Sequence, residues 1–264
     1  MQTPAGALTL AMEAPTAFIP ITAIVPAMHA MGERAMDLEV EGGRARGEHI
    51  SCRMGCAACC RMLVPVSAPE ALALKDLIEC LPAERRQALS QRIDHVQERL
   101  EEEGLLEELQ VIAETDRQLS DEEMEPVNRA YYNLRIPCPF LENEVCSIYE
   151  YRPAACRELL VTTPAEFCQD FATNPVQAIP VPLRMSTVLG MLWSQLSGGP
   201  VRFIPLPVAL PWARRHAETG SRTWPGVQIL EHALEQVYRF LSGEFSRRGI
   251  AVSETTPPDH RSKQ

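Results

Sequence analysis

Residues 51–65 read SCRMGCAACCRMLVP and place four cysteines, Cys52, Cys56, Cys59 and Cys60, within nine positions. Thiolates are soft ligands, and groups of them hold zinc or iron, iron–sulfur clusters included. On a helical turn, positions i, i+3 and i+4 aim several sulfurs at one point, and Gly55 lets the chain bend just before Cys56. The four positions also run i, i+4, i+7 and i+8, the stripe of an amphipathic helix, so buried packing would give the same spacing. Against packing, Val, Leu or Ala would fill a core without the risk of oxidation. A packing account also predicts no second cysteine group.

There is a second group. From residue 138 the chain reads CPFLENEVCSIYEYRPAACRELLVTTPAEFC, with Cys138, Cys146, Cys156 and Cys168. PFLENEVCSIY has the pattern of a tight hairpin turning near Glu142 and Asn143, a register that sets Cys138 opposite Cys146. Pro153 suits a first helical position and brings Cys156 onto the first turn. Thr163 and Glu166 suit a capping box opening a short helix that carries Cys168. The ninth cysteine, Cys80, lies alone in a helix and reads as a small buried hydrophobe. An odd count excludes a fully paired disulfide framework within one chain. Without an export signal, nine cysteines point to metal or redox chemistry.

Other cysteine patterns fit less well. Cys52-x3-Cys56-x2-Cys59 has the spacing of radical S-adenosylmethionine enzymes, but Ala58 stands where those carry an aromatic residue, and acidic helices follow in place of β/α units. The two-cluster ferredoxin spacing is absent, and only Cys56 and Cys59 have the gap of a zinc knuckle. CRMGCAACC followed by CPFLENEVCSIYEYRPAACR resembles instead the YkgJ-type cysteine-cluster family of zinc- or iron-chelating domains. Cys52, Cys56, Cys59 and Cys60 match its first run. Cys138, Cys146 and Cys156, with Ile148, Tyr149, Arg152, Pro153 and Arg157, match its second, and Cys168 resembles an eighth cysteine of many members. The first gap here is three residues, where the family pattern has two. The resemblance spans about residues 50–170. It implies one composite metal site of eight cysteines: Cys52, Cys56, Cys59, Cys60, Cys138, Cys146, Cys156 and Cys168. Eight thiolates exceed one tetrahedral zinc. They suit two zinc sites, or one iron–sulfur cluster with cysteines left over, and the sequence leaves both open.

Arg152 and Arg157 suit hydrogen bonds to thiolates or hairpin carbonyls, or ion pairs with Glu150 or Glu158. Tyr149 and Tyr151 read as packing residues, and His49, three residues before Cys52, as an exposed loop residue. His29, His95, His216, His232 and His260 have no cluster spacing. Trp193, Trp212 and Trp224 read as core.

The elements that must position these cysteines are mainly helical. Residues 7–13 read as a strand, followed by a proline-containing turn and a helix over 27–38. Ser67, Pro69 and Glu70 open a helix with Leu72, Leu74, Leu77, Ile78 and Leu81 as its apolar set. Pro82 starts another, striped by Leu89, Ile93, Val96 and Leu100. Gly104 breaks the acidic stretch that follows, and Ser120 caps a helix to Leu134. LRMSTVLGMLWSQL (183–196) and PGVQILEHALEQVYRFLSGEF (225–245) are the helices of a proline-punctuated C-terminal third, and no internal repeat is visible in the letters.

The fold expected is mainly α, an irregular helical domain with a small β-hairpin beside the composite cysteine metal site. Its divisions are an N-terminal strand and helix arm (1–48), a cysteine-cluster domain (49–175) with a helical insertion (67–134), a helical region (176–250) and a disordered tail (251–264). A net charge of −10 argues against nucleic-acid and anionic-membrane surfaces. The uncharged stretch 14–32 has no preceding basic residue and is interrupted by Pro15, Pro20 and Pro26, so a cytoplasmic protein is expected. The function expected is chelation of zinc or iron, with a protein partner left unidentified. Two alternatives are a thiol redox sensor and an S-adenosylmethionine-dependent protein lysine N-methylase, since the cysteine segment also resembles that of flagellin lysine N-methylases. The methylase lacks a glycine-rich strand-to-helix loop, EGGRARG (41–47) having no clear strand before it.

Overall fold

The computed structural model describes residues 1–171 and 173–248; the expected tail at 251–264 lies outside the described residues. Ten α-helices and four two-stranded sheets make up the described chain. The fold is mainly α, as the sequence predicts.

The N-terminus differs from the strand expected at 7–13. It is a small hairpin of β1 (Gln2–Thr3) and β2 (Gly6–Ala7), and the next strand, β3 (Phe18–Pro20), runs through a 3-10 turn into α1 (Val25–Ala45). β3 is the first of four short strands that each lead into a helix. The others are β4 (Pro65–Ser67) before α2 (Ala68–Glu79), β7 (Phe203–Pro205) before α8 (Leu206–Arg215), and β8 (Thr223–Pro225) before α10 (Gly226–Arg247). They pair antiparallel, β3 with β8 and β4 with β7. The backbone thus uses one device four times where the sequence shows no repeat. Prolines at the strand ends are tolerated because each strand has only one paired edge.

Ser67 caps α2 in a capping box with Glu70, and the chain then turns into α3 (Ala83–Glu102) at Pro82. Leu89, Ile93, Val96 and Leu100 are all buried along one face of α3. Gly104 takes φ +72° before α4 (Leu106–Glu114), and Ser120 accepts from the Glu123 N–H to cap α5 (Asp121–Leu134). Cys80 ends α2 as an exposed residue, which corrects the buried placement expected for it.

β5 (Leu141–Glu142) and β6 (Val145–Cys146) form the expected hairpin, and α6 (Ala154–Glu158) follows it. α7 (Met185–Ser197) and α10 cover the two C-terminal helices read from the sequence; α8 and the short α9 (Ala217–Gly220) were not anticipated, because Pro207 and Pro211 disguise α8. α2 packs on both α7 and α8, and α10 packs on α7. Trp212 is buried in this core and Trp193 nearly so, in agreement with their reading as core residues. Among the described residues no helix is long and apolar enough to cross a membrane. EGGRARG falls at the C-terminal end of α1, so its glycines open no helix.

Candidate metal centre

The first cysteine run is not a continuous helix. Cys52 and Cys56 lie in an irregular loop, and only Ala58–Arg61, with Cys59 and Cys60, form a 3-10 turn. Two left-handed residues, Gly55 at φ +81° and Ala57 at φ +46°, coil the loop tightly enough to replace the predicted helix. Distant chain clamps it in place. The Ser51 N–H donates to Val161 O at 2.9 Å, the Ser51 hydroxyl donates to Thr163 O, and the Val161 N–H donates to Cys52 Sγ at 3.4 Å. On the far side of the run, the Cys138 N–H donates to Cys60 O at 2.7 Å, and Arg61 grips Glu144 through both terminal guanidinium nitrogens.

The hairpin turns through Asn143 and Glu144, both at positive φ, and its register pairs Leu141, not Cys138, with Cys146. Cys138 sits three residues ahead of the strand, where its carbonyl accepts from the Leu141 N–H. It is nevertheless close enough to Cys146 for that neighbour's charge to add to the effect of burial in raising it. Cys168 lies on a 3-10 turn, Ala165–Gln169, and the expected capping box is absent. The Thr163 hydroxyl instead accepts from the Gln177 N–H, and Glu166 pairs with Arg53 across the cysteine loop. Both residues are spent on holding the loop.

The thiols fall into two overlapping knots. Beyond burial, nearby Cys52, Cys56 and Cys59 raise Cys168, and Cys56 and Cys59 raise Cys52. Cys60, Cys138, Cys146 and Cys156 form the other set, and Cys59 reaches into it as well. Cys168 is buried with Ala58 and Val161 in a small apolar cluster, against which Cys56 packs. Cys80 joins neither knot.

Burial pushes most of these thiols up, Cys138 to about 12 and Cys156 well above the ordinary thiol value. Cys59 is the exception. A hydrogen bond from the Cys60 thiol pulls it down to about 6 against the opposing effect of burial, with Arg152 assisting, and Cys60 is pushed up in return. The thiol most easily ionised therefore stands where the knots meet. All nine thiols are free. Among the described residues no three His, Cys, Asp or Glu side chains converge in a ligand arrangement, so the thiols must draw together to ligate. The donor set itself suits a soft or borderline cation, which would supply the positive charge that lets buried thiols ionise.

Arg157 is held by the backbone: it donates to the carbonyls of Arg152 and Glu150 and pairs with Glu33, not with Glu150 or Glu158 as the sequence suggested. Arg152 donates to Tyr149 O at 2.9 Å and stacks over the Tyr149 ring, 3.6 Å from its centre. Tyr149 and Tyr151 are themselves exposed, as is His49.

The next layer joins residues that are far apart in the chain. Glu70, 2 % exposed, accepts from the Ser67 N–H at 3.0 Å, the Ser67 hydroxyl at 2.6 Å and the Ala154 N–H at 2.6 Å, and lies 2.8 Å from His29 Nε2. It joins α1, α2 and the start of α6, the helix of Cys156. Burial would push its carboxyl up, but His29 and the Ala154 and Ser67 donors hold it below the usual carboxylate value. Glu158 accepts from the Met185 N–H at 2.7 Å and so docks the other end of α6 on α7. The capping box did mark Glu70; its partner Ala154, 84 residues away, left no local signal.

Residues 51–174 match a family described as "CxxCxxCC: Putative zinc- or iron-chelating domain". No curated protein matches the chain, and neither does any solved structure. From residue 51 to residue 174, just under half its length, the chain is therefore similar to the CxxCxxCC family of zinc- or iron-chelating domains.

Proposed function

We propose that the protein chelates zinc or iron as single ions in two adjacent four-thiolate sites. Cys52, Cys56, Cys59 and Cys168 hold one; Cys60, Cys138, Cys146 and Cys156 hold the other. The observation that carries this reading is that Cys168 packs with Cys56, and Val161 donates to Cys52, on one side of the run, while the Cys138 N–H donates to the Cys60 carbonyl on the other. Four thiolates complete the tetrahedral shell of a closed site, which leaves no open position for a substrate. Ligands drawn from loops about 110 residues apart make metal binding part of folding, because no unfolded chain presents such a set. Arg152 tempers the charge that the thiolates accumulate.

The test is a metal count on protein purified without air or added metal, for the native chain and for Cys168→Ser and Cys146→Ser. Two ions in the native chain and one in each variant support the assignment. A four-iron cluster with acid-labile sulfide would refute the division into two sites.

A thiol-sensor reading rests on one observation, the lowered Cys59 thiol. It requires that alkylation of Cys59 proceed with metal still bound, whereas a closed site protects it.

A further inference from the structure

The two groups of cysteines are mounted on different parts of the molecule. Cys138 and Cys146 pack against the main apolar core. Cys156 rides on α6, which packs on α1, α7 and β4, and Ala154 of that helix belongs to the same core. Glu70 accepts from the Ala154 N–H at one end of α6, and Glu158 at the other end accepts from the Met185 N–H of α7. These thiols cannot leave their places without disturbing the helical frame.

Cys56 and Cys168 belong to a separate cluster, whose buried members among the described residues are Ala58, Val161 and Cys168 itself. The turn of Cys168, Ala165–Gln169, packs chiefly on the turn of Cys59 and Cys60. The other ties on this side are polar and lie at or near the surface. Arg53 pairs with Glu166, their side chains 63 % and 64 % exposed. The Tyr132 hydroxyl donates to the Cys168 carbonyl at 3.3 Å, and Arg135 donates to the Gln169 carbonyl. Cys52 is exposed and Met54 is 85 % exposed, so the described chain leaves the tip of the loop uncovered.

A segment held by few buried apolar contacts and by exposed hydrogen bonds opens locally, well below the free energy of global unfolding. A segment built into the core opens only with the whole. The Cys52 side has the first character and the Cys156 side the second. Both sets offer the same donor type, so packing decides which one releases its ion first.

We propose, on the two-site reading above, that the protein is a metal donor. The site of Cys52, Cys56, Cys59 and Cys168 exchanges its ion with thiolate-bearing acceptors, while the site of Cys60, Cys138, Cys146 and Cys156 keeps its ion as part of the fold. In the exchange Cys52 gives up its bond to the ion and an acceptor thiolate forms one in its place. Each sulfur supplies its own electron pair and the ion keeps its oxidation state. The proton lost by the acceptor thiol is balanced by the one that Cys52 takes up.

The experiment starts from the zinc-loaded full chain, counted for metal and then mixed with excess dimercaptopropanol as the acceptor. At intervals the protein is desalted and recounted, and its free thiols are alkylated and mapped by mass spectrometry. One ion is expected to leave at least about tenfold faster than the other, as local opening requires. Cys52, Cys56 and Cys168 should become reactive with it, while Cys138, Cys146 and Cys156 stay protected and the helical circular dichroism is unchanged. Glu166→Gln removes the exposed tie to Arg53 and should speed this first release by about two- to fivefold, with the second unchanged. A starting count other than two overturns the two-site reading and this inference with it. With two ions present at the start, release in a single phase, earlier labelling of the Cys138, Cys146 and Cys156 set, or loss of helix with the first ion overturns the donor role and leaves the two sites standing.

Discussion

Replacing Glu70 tests how the helical frame holds the cysteine-bearing helix. Truncation to alanine removes the partner of four buried groups: the Ser67 N–H, the Ser67 hydroxyl, the Ala154 N–H and His29 Nε2. Each costs about 1–3 kcal/mol when stranded. The four share one carboxylate, so their losses do not add in full, and removing such a buried carboxylate costs roughly 3–5 kcal/mol in total. Glu70→Gln keeps one acceptor oxygen and should lose about half of that. Urea unfolding of the metal-loaded protein measures the loss. A second readout separates positioning from stability alone. The Ala154 N–H anchor lies two residues before Cys156, so competition with a chelator should show metal affinity lowered about 10–100-fold for Glu70→Ala. The contrast is Glu166→Gln, which removes an exposed ion pair with Arg53 and should leave unfolding nearly unchanged. If Glu70→Ala unfolds within about 1 kcal/mol of the native protein and holds metal equally well, the reasoning fails.

Other outcomes follow from the same structure. Cys80 is exposed and outside both knots, so an alkylating reagent should label it at once in the metal-loaded protein. The other eight should react only after chelation; early labelling of Cys146 or Cys168 would contradict closed ligation. Leu100→Ala empties a fully buried position on α3 and should cost about 2–5 kcal/mol in urea unfolding. Gly226→Ala places a Cβ 2.3 Å from the Pro15 carbonyl oxygen, a backbone atom that cannot swing away, and should destabilise by about 1–3 kcal/mol. Tolerance of that alanine without a shift in melting temperature would mean that β8 and the N-terminal segment do not pack as described.

The helices were legible where a local rule suffices. The box of Ser67 and Glu70, the stripe from Leu89 to Leu100 and the cap at Ser120 each state their geometry within a few residues. The cysteine loop was less so, because Ala57 adopts a left-handed backbone that alanine spacing does not announce. Residues that look like a local cap can also be claimed by distant chain: Thr163 and Glu166 fit a capping box, yet serve Gln177 and Arg53. The hairpin turn was placed one residue too early, and the ladder pairs Cys146 with Leu141 where Cys138 was expected. His29 illustrates the remaining limit. Nothing near it in sequence marks its partner on α2, which is 41 residues away.

The most direct test of two four-thiolate sites is a stoichiometric count of metal on air-free protein by mass spectrometry, for the native chain and for Cys59→Ser. Two zinc or iron ions per native chain are predicted, with both sites weakened in Cys59→Ser because that sulfur stands where the knots meet. A native chain without bound metal, with all nine thiols open to alkylation, would contradict the account.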